Sequence, residues 1–179
     1  FLWGDALKGY LSDMVVAQAY ALYNHQIISD RIFAILRKLC KAKCVESIFT
    51  THNYISLTDE RPMLRKGAID ASEGRKVVIP FNMRDGIAIC IGKGNEKWLN
   101  TAPHGAGRIM SRAQAKKQIT LDEFRQTMLE VFSTSICEAT LDESPMAYKP
   151  TEEILKLIQP TVDIISMIKP KLNIKDNGE

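Results

Sequence analysis

The stretch Pro103–Arg112, PHGAGRIMSR, joins a histidine, two glycines around an alanine, and two arginines four residues apart. Glycines permit a turn in which successive backbone N–H groups converge on one anion, and a helix beginning there would add the positive end of its dipole. Gly105, Ala106 and Gly107 therefore read as a phosphate cradle with His104 at its lip. On one helix, Arg108 and Arg112 would share a face and reach phosphate oxygens. A neutral imidazole beside a held phosphate can attack phosphorus and form a phosphoramidate. Taken alone, the same histidine also fits a cap or a surface residue.

Few other residues carry comparable chemistry. The remaining histidines are His25, in Asn24-His25-Gln26, and His52, in THNY. Cys40, Cys44, Cys90 and Cys137 show no zinc-ribbon or CxxC spacing and read as reduced thiols of a cytoplasmic protein, with Cys40 and Cys44 on a core-facing helical stripe. GKGN at Gly92–Asn95 lacks the spacing of a Walker loop and reads as a turn. The 179 residues are 45% hydrophobic and 25% charged, enough for one core and normally one domain. A formal net charge of +3 is compatible with RNA without being diagnostic of it. No apolar stretch is long enough to cross a bilayer, and no secretion signal is visible, so no membrane partner is expected.

The elements that must position these residues follow from periodicity. Apolar residues at helical spacing predict helices over 5–26 and 27–43, the second with a basic run from Arg37 to Lys43 that reads as a solvated face. Alternation predicts a strand over 45–57, then strands over 64–69, 76–81 and 86–91, the last two joined by the turn NMRD. A helix from the cradle would end near Gln118, and Thr120 with Glu123 forms a capping box opening a helix to about Thr134. Residues 136–141 are expected as a strand, PMAYKP as an ordered loop, 153–167 as a helix interrupted at Pro160, and 169–175 as a terminal strand. Strands and helices mix without regular βαβ repeats, which predicts an α+β fold.

PHGAGRIMSR, preceded in order by THNY at Thr51, LRKGAI at Leu64 and GKGN at Gly92, and followed by PMAYK at Pro145, resembles the RtcB family of RNA-splicing ligases. Beginning at Phe1 and holding three histidines, the chain resembles the C-terminal portion of such an enzyme. The resemblance implies GTP and two Mn²⁺ ions as cofactors, with His104 as the residue that accepts guanylate. It implies His52 as a ligand of one Mn²⁺, Asn53 in the nucleotide site and Lys66 near the phosphate of the RNA end. Arg108 and Arg112 would neutralise phosphoryl charge, Tyr148 would stack against guanine, and Lys175 would approach the guanine oxygen. The family's PGSMxxxS block corresponds to Pro80, Phe81, Asn82 and Met83 and the residues to Ile87. Here Phe81 replaces Gly, Asn82 the first Ser and Ile87 the second, with Phe81 expected to add bulk at the ligand and Arg84 and Asp85 to add a charge pair. Ile174 and Lys175 match the start of the family's closing Val-Lys-Gly, whose Gly is replaced by DNGE.

The implied activity joins RNA 3′-phosphate or 2′,3′-cyclic phosphate ends to 5′-hydroxyl ends, in tRNA splicing or RNA repair, with inactivity expected for this chain alone. A non-catalytic nucleotide- or phosphate-binding domain is the alternative. A metal-dependent phosphohydrolase is a third reading, which too few carboxylate-histidine clusters disfavour.

Overall fold

The computed structural model describes residues 2–57 and 62–176; the turn formers at 58–61 and the divergent tail at 177–179 lie outside them. The chain divides into two compact units, one of Phe1–Ile48 and Asn53–Lys66, the other of Phe49–His52 and Gly67–Glu179.

The first unit contains one helix where two were expected. α1 runs Gly4–Cys40, 37 residues. Asn24-His25-Gln26 contains neither Gly nor Pro, so nothing interrupts the hydrogen-bond ladder there. The helix ends instead at Lys41, which takes the left-handed conformation at φ 52°. No residue of α1 is buried. Cys40 closes the helix and Cys44 lies beyond it, both exposed, so they form no core-facing stripe. The strand expected over 45–57 contracts to β1, His52–Ser56, which neighbours β2, Met63–Asp70. Met14 Sδ accepts the Ile55 N–H at 3.1 Å. Arg65, 2% exposed, lies with its guanidinium carbon 5.9 Å from the Tyr54 ring centroid.

In the second unit the end of β2 pairs antiparallel with β5, Thr101–Pro103, Ala68 opposite Pro103. β3, Lys76–Pro80, and β4, Ile87–Gly92, form the expected hairpin. Two helices follow β5: α2, Arg112–Gln118, and α3, Leu121–Thr127. Thr120 and Glu123 make the anticipated capping box, and Ser111 with Gln114 makes a second. α3 stops at Met128, short of 134, and leaves Leu129 and Phe132 exposed. The strand expected over 136–141 is absent: Glu138–Glu143 is a 3₁₀ turn, tightened by the Thr140 hydroxyl donating back to the Ser135 and Cys137 carbonyls.

The C-terminal region differs most from expectation. α4 covers Thr151–Leu157, and the second half of the expected helix is β6, Val162–Ile168, antiparallel to β4. Pro160 stops the helix, and the β-branched run Thr-Val-Asp-Ile-Ile suits a ladder on the open edge of β4. The expected terminal strand over 169–175 reduces to a single bridge between Leu172 and Phe132.

Two apolar clusters support the unit. Ile69, Val77, Ile79, Phe81, Ala88 and Ile154 belong to one; Met83, Ala115, Phe124, Met128 and Ala147 belong to the other. The architecture is α+β, as expected. No helix among the described residues is long and apolar enough to cross a membrane.

Candidate functional site

β5 delivers His104 to the carbonyl of Gly67 in β2. The His104 backbone N–H donates to that oxygen at 3.3 Å and ring Nδ1 at 2.7 Å. A carbonyl can only accept, so Nδ1 carries the proton, and in the neutral ring Nε2 holds the lone pair. The His52 ring lies stacked at 5.0 Å between centroids, with 19° between planes. Gly67 holds φ +65°, and a Cβ there would sit 3.4 Å from the His104 ring. That distance is ordinary contact, so what calls for glycine is the left-handed backbone that aims the carbonyl at Nδ1.

The Gly-Ala-Gly segment is fastened on both sides. Ala106 N–H donates to the Pro80 carbonyl at 3.1 Å, and a Cβ at Gly105 would come within 3.0 Å of that oxygen. Beyond it, Lys149 N–H donates to Gly107 at 3.1 Å and Ile109 N–H to Ala147 at 3.0 Å. These bonds, with the Arg108–Tyr148 bridge, zip the cradle to the PMAYK loop. They also correct one expectation. Gly107 is left-handed at φ +71°, Arg108 makes a single antiparallel bridge with Tyr148, Ile109 and Met110 bend away, and α2 begins only after Ser111. The glycines therefore do not open a helix, and Arg108 and Arg112 do not share one.

The arginines converge nonetheless, through an acidic pair the sequence reading overlooked. Glu143 Oε1 accepts from Arg108 Nη2 and from Arg112 Nη1, each at 2.8 Å. Glu143 Oε2 accepts the Tyr148 hydroxyl at 3.0 Å and lies 3.4 Å from Lys175 Nζ. Arg108 Nη2 also donates to the Tyr148 hydroxyl at 2.9 Å, its guanidinium carbon 4.7 Å from that ring's centroid. Buried Asp142 pairs with Arg112, and with Lys116 at 3.6 Å, while its backbone carbonyl accepts from Arg108. Burial alone would raise the Glu143 carboxyl, but the Tyr148 hydrogen bond and the charges of Lys175 and Arg108 hold it below its usual range. Burial and the facing Glu143 push the Tyr148 phenol upward. Lys175 is itself anchored: its N–H donates to Ser135 Oγ at 2.9 Å and its carbonyl accepts from that hydroxyl at 2.8 Å. The signal for this cluster was the acidic pair standing two residues before PMAYK.

The divergent PFNMRDGI block folds as a self-contained turn. Asn82 Oδ1 accepts the backbone N–H of Arg84 and Asp85, and Asn82 Nδ2 donates to Asp85 Oδ2 at 2.8 Å. Asp85 also accepts from Arg84 Nε at 2.7 Å and from the Thr151 hydroxyl at 2.7 Å. Burial pushes the Asp85 carboxyl up, yet the bonds from Arg84, Asn82 and Thr151 outweigh it and lower it to about 2. The bulk expected of Phe81 is taken up in the first core, where the residue is 3% exposed, as Met83 is buried in the second.

A cavity of about 640 Å³ is lined by Arg112, Lys116, Asp142, Glu143 and Lys175, and another of about 350 Å³ by Asn82, Asp85, Ile109, Tyr148 and Lys149. The Glu143–Tyr148 hydrogen bond joins the residues of one to those of the other. Asn53, exposed at φ 60°, and Lys66, exposed on β2, belong to the first unit. His52 offers an imidazole, but the described residues contain no group of three or more His, Cys, Asp or Glu able to hold a metal. They do not by themselves make a manganese site. Cys90 is no rival nucleophile, since burial raises its thiol to about 11.

The family model described as tRNA-splicing ligase RtcB matches residues 4–176. RNA-splicing ligase RtcB of Escherichia coli K12 is 30% identical over 157 residues, covering 82% of this chain and 38% of that protein. tRNA-splicing ligase RtcB of Nanoarchaeum equitans is 25% identical over 181 residues, covering 84% and 38%. That of Aeropyrum pernix is 34% identical over 101 residues, covering 54% and 20%. The chain spans 38% of the length of the first two relatives.

Proposed function

This chain belongs to the tRNA-splicing ligase RtcB family, and on that premise we propose that it forms the guanylate-accepting part of a GTP-dependent RNA ligase. Such an enzyme joins an RNA 3′-phosphate, or a 2′,3′-cyclic phosphate after hydrolysis, to a 5′-hydroxyl, in tRNA splicing or RNA repair in the cytoplasm. The observation that carries this reading is the 2.7 Å bond from His104 Nδ1 to the Gly67 carbonyl. It fixes the tautomer whose Nε2 lone pair can attack phosphorus.

In the first step Nε2 attacks the α-phosphorus of GTP; the P–N bond forms as the bond to the β-phosphate oxygen breaks and pyrophosphate departs. An oxygen of the RNA 3′-phosphate then attacks the same phosphorus and releases the imidazole. Finally the 5′-hydroxyl attacks the RNA phosphate, loses its proton and expels GMP. Arg108 and Arg112 would balance charge on nonbridging oxygens, Tyr148 and Lys175 would contact guanine, and Lys66 the RNA phosphate. Pro80, Asn82 and the Gly105–Gly107 backbone would line the nucleotide site. Asn82 has both carboxamide ends engaged in its own turn, so its part is to shape that site more than to read the base. Manganese would meet His52 as one donor among ligands the described residues do not include.

The test is incubation of the full-length enzyme that contains this part with GTP labelled at the α-phosphate and with manganese. An acid-labile, alkali-stable adduct that disappears in His104→Gln is expected. Nucleotide binding without any adduct in the wild type would favour a binding domain instead.

A further inference from the structure

Glu143 stands outside the residues so far given a role in nucleotide chemistry, yet four of them meet on its carboxylate. Arg108 and Arg112 share one oxygen, and Tyr148 and Lys175 share the other. These four come from three parts of the chain: the stretch from the end of the cradle to the start of α2, the PMAYK loop and the C-terminal tail. Each carries a flexible side chain, and ordering four such chains costs conformational entropy unless something holds them beforehand.

We propose that Glu143 is the positioning residue that gathers Arg108, Arg112, Tyr148 and Lys175 into one preorganised nucleotide-binding cluster. This rests on the guanylate-accepting reading for the identity of the ligand, while the gathering itself rests on geometry alone. Glu143 reaches no reacting atom in the proposal; it acts through the side chains it holds.

The surroundings suit that task. The carboxylate is 17% exposed and faces three cationic groups and a phenol. Asp142, the preceding residue, pairs with Arg112 and Lys116 on the outer side. Glu143 is thereby left to bridge the arginines to Tyr148 and Lys175. The 3₁₀ turn Glu138–Glu143 fixes the backbone of both acids, and the Ser135 hydroxyl pins the backbone of Lys175 toward the same place. A glutamine at 143 keeps the shape and one acceptor, but turns an amide N–H₂ toward Tyr148 or the cations and removes the charge.

The experiment follows the Tyr148 phenol by carbon NMR of tyrosine-labelled protein, with Tyr148→Phe to assign its signal, alongside binding of GMP. Glu143→Gln is expected to lower the Tyr148 titration midpoint and to weaken GMP binding about tenfold, as loss of charge-assisted hydrogen bonds does. Arg112→Gln, at a side chain 67% exposed, is a second variant for the case that the first does not fold. Removing that cation is expected to raise the Tyr148 midpoint. A midpoint that moves in neither variant overturns the gathering. A midpoint that moves while GMP affinity stays at the wild-type value overturns the link to nucleotide. Should the wild type bind no GMP, the guanylate reading fails, and the phenol titration still decides whether Glu143 gathers the cluster.

Discussion

Two centres of the second unit are built on opposite plans. At His104 a single carbonyl orients the ring and a second imidazole lies beside it. Around Glu143, three cations, a phenol and two carboxylates engage one another. A group that must attack phosphorus needs its lone pair uncommitted. Groups that must hold an anion need to be in place before it arrives. The first centre is therefore specified by backbone shape, and the second by charge.

That contrast predicts where damage should fall. Glu143→Ala has the largest expected effect, because it leaves Arg108 and Lys175 without their shared counter-charge in a partly buried place. Loss of one partner from such a network costs about 3 kcal/mol. The measurement is denaturant unfolding. A midpoint equal to the wild type would show that the charges are held by something other than Glu143, and the contrast would break.

Gly67→Ala comes next and tests the other plan. No charge changes, but alanine at φ +65° is strained, and relief of that strain must turn the carbonyl that holds Nδ1. Under the proposed chemistry, guanylation of His104 is expected to slow by roughly 10²-fold, the scale of a small misplacement of a reacting group. Stability should fall by only about 1 kcal/mol. An unchanged rate in single-turnover labelling would mean that the ring keeps its place without Gly67.

How far the sequence made these centres legible follows from what each is made of. PHGAGR is contiguous and its glycines mark unusual backbone, so His104 and its cradle could be read directly. The Glu143 cluster gathers residues 108, 112, 148 and 175 from three parts of the chain, and an acidic pair in LDESP looks like any polar turn until the tertiary fold closes around it. Secondary structure shows the same division. The Thr120–Glu123 box and the β3–β4 hairpin depend on local chemistry and stand where expected. β6 depends on the free edge of β4, a tertiary partner, while its apolar spacing satisfies the helical period as well as the strand period. α1 runs through the expected junction because its residues are polar but include no helix breaker.

Asp85 sharpens the comparison from a third position, the divergent turn beside the cradle. Its carboxyl is lowered to about 2 by Arg84, Asn82 and Thr151 against the effect of burial, below the 3.8 of an ordinary aspartate. A depressed folded-state value contributes stability above the unfolded value and loses it as pH falls through the folded one. The contribution, about 1–2 kcal/mol after allowance for partial exposure of Arg84, should therefore be complete above about pH 5 and disappear between about pH 4 and pH 2. Asp85→Asn is expected to remove that share of the acid sensitivity in unfolding measured across this range. Equal slopes for variant and wild type would show that the turn does not depend on the ionised carboxylate.

The smallest effect expected is the one that separates stability from either centre. Thr120 caps α3 by accepting the Glu123 N–H, while Glu123 returns a carboxylate to the Thr120 N–H at 2.9 Å. Thr120→Ala removes the side-chain half of the box and should cost about 1 kcal/mol. α3 supports the second core through Phe124, and Tyr148 packs against that same core, but among the described residues no α3 side chain makes a hydrogen bond or ion pair with His104 or Glu143. The unfolding midpoint should fall while the Tyr148 titration stays in place. If that titration moved with the cap, loss of stability alone would disturb the charged cluster, and the effect of Glu143 substitutions could no longer be ascribed to the carboxylate. A fixed titration beside a lowered midpoint makes the Glu143 shift specific to charge.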